Sequence, residues 1–284
     1  MRHRFDVRVG PVGFRIGADW RAPIAQLADL YRDYAKPADG IPDFTVRLTA
    51  TRPWRRWIRP SVAITGDYTL PEAAPLPLAQ GLLAAEMAMN LQMALGWRRH
   101  LLLHASVVEN NGRALVMTGE SGAGKSTLAA LLAAQGWRFM GDEFALLDPD
   151  TGALHPFPRI TSLKNQSVAA MAAIKPDARW GPLLAGTPKG DIRHLVPDAS
   201  AISAMDVAAV PALLLFPRFG FAAAERSVPA SEALVRLTQA STNYTALGEK
   251  GFVALTRLIA SVPAVAIDYP DGDTALALIQ RLMR

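Results

Sequence analysis

The run Gly119-Glu120-Ser121-Gly122-Ala123-Gly124-Lys125-Ser126 fits the phosphate-loop pattern, in which glycines let successive backbone N–H groups turn toward a polyphosphate. In that pattern Lys125 reaches the β/γ oxygens, the Ser126 hydroxyl is placed to ligate Mg²⁺, and Thr127 extends the nucleotide-contacting set. The chemistry implied is binding of ATP or GTP. A glycine-rich turn with an incidental lysine would read the same letter by letter, so the flanking elements decide. Upstream, Arg113 to Thr118 (RALVMT) reads as a short buried strand, and downstream STLAALLAAQ is strongly helix-forming and closes at Gly136. Strand, glycine loop and helix are the context the motif requires.

A phosphate loop transfers nothing by itself; it needs a carboxylate for the metal and a group that orients or deprotonates the nucleophile. The first acids after the helix are Asp142 and Glu143, behind the strand-like WRFM of Trp137 to Met140. Neighbours on a strand point to opposite faces, but at a strand end the backbone can turn both toward the loop. One can then serve Mg²⁺ and the other a substrate hydroxyl, whereas a merely polar strand terminus would have no such role. Asp148 and Asp150, in LLDPDTG, read as turn residues.

The approach to the loop holds a further candidate. Leu101 to Val108 and Arg113 to Thr118 are joined through Asn111-Gly112, a pair that favours a two-residue hairpin turn. Asn110 then faces Arg113, and continuing that register sets His104 opposite Gly119. An imidazole there suits phosphate or substrate contact, and equally a structural hydrogen bond. Lys164, Lys189 and Arg193 are candidates for neutralising the charge that a phosphoryl transition state spreads over its oxygens, against the plainer reading of solvated surface cations.

Composition narrows the class. Half the residues are hydrophobic and there is no cysteine, which excludes disulfides and thiolate metal sites. MRHRFDVRV has no apolar core of secretory length, so a cytoplasmic location is expected. The longest apolar stretch, Leu78 to Leu95, carries Gln80, Glu86, Asn90 and Gln92 and reads as an amphipathic helix with Leu83, Met87, Leu91 and Ala94 as its buried stripe, not as a membrane span. The net charge of +5 comes from 24 Arg against 6 Lys in an alanine-rich chain, a coding bias more than a nucleic-acid signature. One cluster stands out: Arg52, Arg55, Arg56 and Arg59 alternate with Trp54 and Trp57 between prolines. It reads first as a solvated edge, then as a peptide contact, and last as a nucleic-acid surface.

The elements that must position these residues fall into two domains. Residues 1–75 hold alternating segments (FDVRV, VGFRI, FTVRLTA, SVAITG) around a helix over 24–34, which predicts a small α+β domain with antiparallel strands. The proline-rich PEAAPLPLA marks the boundary, and residues 76–284 form the nucleotide-binding domain. Further strands are expected at 212–216 and 264–267, with a closing helix over 274–283.

Gly119 to Glu143 (GESGAGKSTLAALLAAQGWRFMGDE) resembles the core of HPr kinase/phosphorylase, whose phosphate loop is followed by a helix, a glycine and a strand ending in two acids. His104 resembles a histidine that the family carries on the strand before the loop. The resemblance implies that Asp142 is the general base, and that Glu143, where the family has a second aspartate, has an Mg²⁺ or phosphate-proximal role. The family's second, glycine-rich signature and its HPr-docking elements have no match here, which puts HPr in doubt as the substrate. The chain is more similar to the HPr-kinase-related proteins called HprK-related kinase A, through PRITSLKNQS, Gly186 to Gly190 and Ser241 to Tyr244.

The expectation is an α/β fold with an HPr-kinase-like P-loop core of mixed sheet and flanking helices. The expected activity is ATP- and Mg²⁺-dependent transfer to a serine hydroxyl on a peptide or small protein, with a homo-oligomer possible. Two other classes stay open: a nucleotide-dependent regulatory or assembly module without transfer, and a kinase of small hydroxyl-bearing molecules.

Overall fold

The computed structural model describes residues 1–70 and 72–284; the proline-rich boundary segment begins at residue 71, outside the described residues. The chain divides into two compact units, Met1–Trp97 with Arg179–Val196, and Arg98–Ala178 with Pro197–Arg284.

The first unit is built on a sheet of β1 (His3–Val9), β2 (Val12–Ala18), β3 (Phe44–Ala50), β4 (Ser61–Gly66) and β5 (Leu76–Pro77), in that order. Neighbours run antiparallel except β2 and β3, which are parallel. That departs from the antiparallel expectation, and the cause is the connection. Parallel neighbours need a long crossover, and the chain between β2 and β3 supplies one containing α1 (Arg21–Leu30).

Helix α2 (Gly81–Gly96) packs on β3, β4 and α1. Of its expected stripe Leu83 is buried, Leu91 and Ala94 are half-buried and Met87 is exposed, while Leu82, Ala85, Met89 and Met93 are buried. The helix is apolar nearly all round, so spacing alone cannot choose the face it buries. Its one buried acid, Glu86, accepts from the Tyr31 hydroxyl at 3.0 Å. The unit also contains the hairpin of β13 (Leu184–Thr187) and β14 (Gly190–Leu195).

The second unit begins with β6 (Leu101–Leu103), β7 (Ala105–Asn110), β8 (Arg113–Thr118), α3 (Lys125–Ala134) and β9 (Arg138–Gly141). It continues through β10 (Ala145–Leu147), β11 (Leu154–His155), β12 (Thr161–Lys164) and α4 (Gln166–Ile174). After the first-unit hairpin come α5 (Ala199–Ser203), β15 (Val210–Phe219), β16 (Ala224–Ser227), α6 (Ala230–Ala240), α7 (Tyr244–Leu247), α8 (Glu249–Ser261), β17 (Ala264–Tyr269) and α9 (Gly272–Leu282). The main sheet has the order β16-β17-β15-β8-β7-β9; β17, β15 and β8 run parallel, and β16, β7 and β9 pair antiparallel with their neighbours.

Strand periodicity of two builds both faces. On β8, Ala114 and Val116 join a core containing Leu237 of α6 and Leu255 and Leu258 of α8. Leu115 and Met117 join the opposite core with Leu128 and Leu132 of α3 and Ile279 of α9. Being covered on both sides, β8 is a continuous apolar run, as central parallel strands are. It delivers the chain to the glycine loop at its C-terminal end, between β15 and β7, where open α/β sheets leave a crevice for ligands. Among the described residues no helix is long and apolar enough to cross a membrane.

Candidate functional site

The hairpin register is as the Asn-Gly turn requires. Asn110 faces Arg113 and Ala105 faces Thr118, so the strand ends reach the glycine loop together. Asn111 takes a left-handed φ of 53° and Gly112 one of 79°, the positive pair that a tight hairpin turn demands. His104 lies one residue beyond the ladder, its carbonyl accepting from the Thr118 hydroxyl at 2.9 Å.

Gly122 and Gly124 have φ of 89° and 94°, values that side chains resist. At Gly124 space forbids substitution as well: a Cβ there would sit 2.0 Å from the Tyr269 hydroxyl. That hydroxyl donates to the Ala123 carbonyl at 3.0 Å and braces the loop from β17. Lys125, first residue of α3, is buried and donates through Nζ to the carbonyls of Gly119 (2.7 Å) and Glu120 (2.9 Å), folding back along the loop. Burial holds its pKa below the ordinary lysine value, Asp142 and Glu143 oppose that, and Lys164 adds to it. The Thr127 hydroxyl donates to Ser167 Oγ at 2.9 Å.

Asp142 follows β9 and is buried. Its Oδ1 accepts from the hydroxyls of Ser106 and Ser126, the latter at 3.1 Å, while Oδ2 is buried with no hydrogen-bond partner. Burial raises its pKa most and the neighbouring Glu143 raises it further, against the two serine hydrogen bonds and His104. A buried carboxylate oxygen with no protein donor is costly unless something else meets it. Glu143 takes a left-handed φ of 76°, which turns the chain so that the second acid does not follow the strand alternation. His104 Nδ1 lies 3.2 Å from the Glu143 carbonyl oxygen and 3.4 Å from its carboxylate.

The structure therefore gathers Ser106, Ser126, Asp142, Glu143 and His104 around the loop, with Lys164 near enough to act on Lys125. Lys189 and Arg193 lie on the hairpin of the first unit. Lys189 is exposed; Arg193 donates to the Gly181 carbonyl at 2.9 Å and stacks 5.1 Å from the Trp180 ring. Ser106 and Tyr269 were not anticipated from sequence. Ser106 had a signal in the two-residue alternation of the sequence, which sets it on the same side as His104, although His104 lies just outside β7. Tyr269 had none.

The Ser126 hydroxyl and the Asp142 and Glu143 carboxylates offer only oxygen, the donor type Mg²⁺ takes alongside phosphate oxygens. The unpartnered Asp142 Oδ2 fits such a ligand or a donated proton. Among the described residues no cluster of three or more His, Cys, Asp or Glu forms a metal cage, and a phosphate-held Mg²⁺ does not call for one.

On the other flank of the loop lies a cleft of about 1350 Å³, lined by His104, Gly119 to Ala123, the end of β15, β16 and α6. It brings in Arg218, Arg226, Arg236, Phe219 and Phe221, none of which was singled out from sequence.

Residues 82–177 match the family model described as SynChlorMet cassette protein ScmC. No protein of curated function matches the sequence. Among solved structures, the HPr(Ser) kinase/phosphatase from Coxiella burnetii is similar, with 17% identity, 64% of this chain and 92% of that one covered, and a TM-score of 0.31.

Proposed function

We propose that the protein is an ATP- and Mg²⁺-dependent phosphotransferase that phosphorylates a serine hydroxyl on a peptide or small protein. The observation that carries this reading is Asp142: a buried carboxylate tied through Ser126 to the glycine loop, with its second oxygen unpartnered. Burial first, then the neighbouring Glu143, raises the pKa of Asp142 above the ordinary carboxylate value, the direction that makes a carboxylate a better proton acceptor.

In this reading the glycine loop and Lys125 bind the β/γ phosphates. Mg²⁺, when bound, neutralises phosphate charge, and Ser126 and Glu143 would hold it. Asp142 orients the acceptor hydroxyl and takes its proton at Oδ2. The hydroxyl oxygen forms a bond to the γ-phosphorus as the bond to the bridging oxygen breaks, leaving ADP. Ser106 holds the Asp142 carboxyl in register by its hydrogen bond to Oδ1, and Lys125 stabilises the charge that develops between the β and γ groups.

The test is transfer from γ-labelled ATP with the protein and its host-cell lysate. Wild type is expected to label a peptide or protein, Lys125→Ala to lose ATP binding and labelling together, and Asp142→Asn to bind ATP but label nothing. Labelling by Asp142→Asn at the wild-type rate would remove Asp142 from the mechanism.

A further inference from the structure

The arginine and tryptophan cluster lies on the connection between β3 and β4 and contributes no residue to the site above. The β3–β4 ladder ends at Ala50 opposite Val62, and the Thr51 amide closes it by donating to the Ser61 carbonyl at 3.2 Å. Residues 52–60 therefore stand beyond the ladder as a closed tip, with one 3₁₀ turn over Pro53–Arg56. The tip is braced at its base. Arg56 donates to the Asp19 carbonyl at 2.6 Å and lies 3.9 Å from its carboxylate, and the Trp20 indole donates to the Arg56 carbonyl at 2.9 Å. Arg55 donates to the Arg59 carbonyl at 3.1 Å, where the chain turns back to β4 through a left-handed φ of 48°.

What the brace leaves outside is apolar and cationic. Trp54, Trp57 and Ile58 are 51%, 72% and 65% exposed. Single exposed apolar side chains are common, but three on one braced tip make a patch of the kind that marks an interaction site. Trp57, Ile58 and Arg59 are consecutive and all exposed, which makes the tip a projection and not the wall of a groove. Arg52, Arg55 and Arg59 have no carboxylate partner among the described residues, and no acid occurs from Thr51 to Pro60. A partner must therefore be anionic and must also accept apolar side chains. Single-stranded nucleic acid stacks its bases on open aromatic faces. Here Arg52 lies 5.3 Å from the Trp54 ring centre and Arg56 lies 5.7 Å from that of Trp57, and Ile58 has no ring to offer a base. A bilayer with anionic lipid meets every part of the tip. Indoles are favoured at the headgroup level, an aliphatic side chain enters the acyl boundary, and arginines meet the headgroup charge.

We infer that the tip at residues 52–60 is a membrane-surface contact, which docks the protein on bilayers carrying anionic phospholipid without spanning them. Trp54, Trp57 and Ile58 enter the interface, Arg52, Arg55 and Arg59 supply the attraction to the headgroups, and Arg56 with Trp20 holds the tip in shape. One such tip is a reversible anchor, so association depends on lipid charge and on salt. The inference stands independently of the phosphotransfer reading, since no residue of the tip belongs to the glycine loop or its acids.

The experiment floats the full chain with vesicles of phosphatidylcholine alone and with vesicles containing about one-third phosphatidylserine. Wild type is expected to float with the charged vesicles and not with the neutral ones, and brominated acyl chains should quench its tryptophan fluorescence. Arg52→Gln/Arg55→Gln/Arg59→Gln should weaken association about tenfold or more. Trp54→Ala/Trp57→Ala/Ile58→Ala should weaken it as well and lose the quenching, and an unchanged melting midpoint shows each fold intact. Should a variant fail to fold, wild type in about 0.5 M salt supplies the second measurement, because exposed arginines are screened there and the charged vesicles should release the protein. Absence of flotation with charged vesicles overturns the inference. So does equal flotation with both vesicle types, or flotation that neither the variants nor salt reduce. Saturable binding of a labelled single-stranded oligonucleotide, lost in the arginine variant and without flotation, overturns it in favour of a nucleic-acid surface.

Discussion

On one side of the glycine loop Asp142 is buried and receives the hydroxyls of Ser106 and Ser126; on the other, Arg218, Arg226 and Arg236 stand in ion pairs with side chains 39% to 60% exposed. The first wall has a charge removed from water and few alternatives for its geometry, so a change there alters rate and stability together. The second has charges that water already screens, so a change there leaves the fold alone.

The largest expected effect lies on the buried wall. Asp142→Asn should slow transfer by about 10² to 10⁴-fold, the range for losing a general base, with ATP affinity nearly intact. The same variant should be more stable than wild type in metal-free buffer at neutral pH. The folded state binds the Asp142 proton more tightly than the unfolded chain, whose carboxyl titrates near 3.8, so wild-type stability falls as pH rises above that value. Thermal melts across pH should show that slope in wild type and not in Asp142→Asn. An equal slope in both would mean that the wall is not strained by its charge.

A third place in the same unit separates stability from chemistry. His100 is buried against His155, their ring centres 4.8 Å apart, and burial first, then the His155 charge, lowers its pKa from 6.5 to about 4. The unfolded chain therefore binds the proton more tightly. Stability present above pH 6.5 is lost as pH falls toward 4, by about 3 kcal/mol at 1.36 kcal/mol per unit. Denaturant titrations at pH 7 and pH 4 measure it, and His100→Asn should flatten that step without changing the acceptor.

Smaller effects follow. Tyr269→Phe removes one hydrogen bond from the loop and should cost about 1 kcal/mol of stability, with a few-fold loss of ATP affinity by titration. Smallest, Arg226→Gln should leave the melting midpoint where it is, although its partner Glu232 is held at a pKa of about 2 chiefly by that arginine. A large drop there would erase the contrast between the walls.

How far each wall could be read in advance follows from chain distance. The glycine loop, the hairpin register and the acids after β9 are written within residues 101–143, where turn chemistry and period-two alternation act over a few residues. The exposed wall comes from residues 216–242, and Tyr269 reaches Ala123 across 146 residues, convergence that only the folded sheet order creates. In the first unit, the parallel pairing of β2 and β3 and the return of Arg179–Val196 also depend on long-range packing. The stripe on α2 misled for a different reason: a helix apolar on most sides offers several equivalent faces, and Met87 falls on the one left outside.

The central claim is that a phosphoryl group leaves ATP at this loop for a hydroxyl activated by Asp142. The most direct measurement compares wild type and Asp142→Asn for ATP affinity and for label transferred from γ-labelled ATP to serine in the same reaction. The account predicts matched affinity with phosphoserine formed by wild type alone. Matched affinity with no phosphoserine from either protein, or with equal amounts from both, would contradict it.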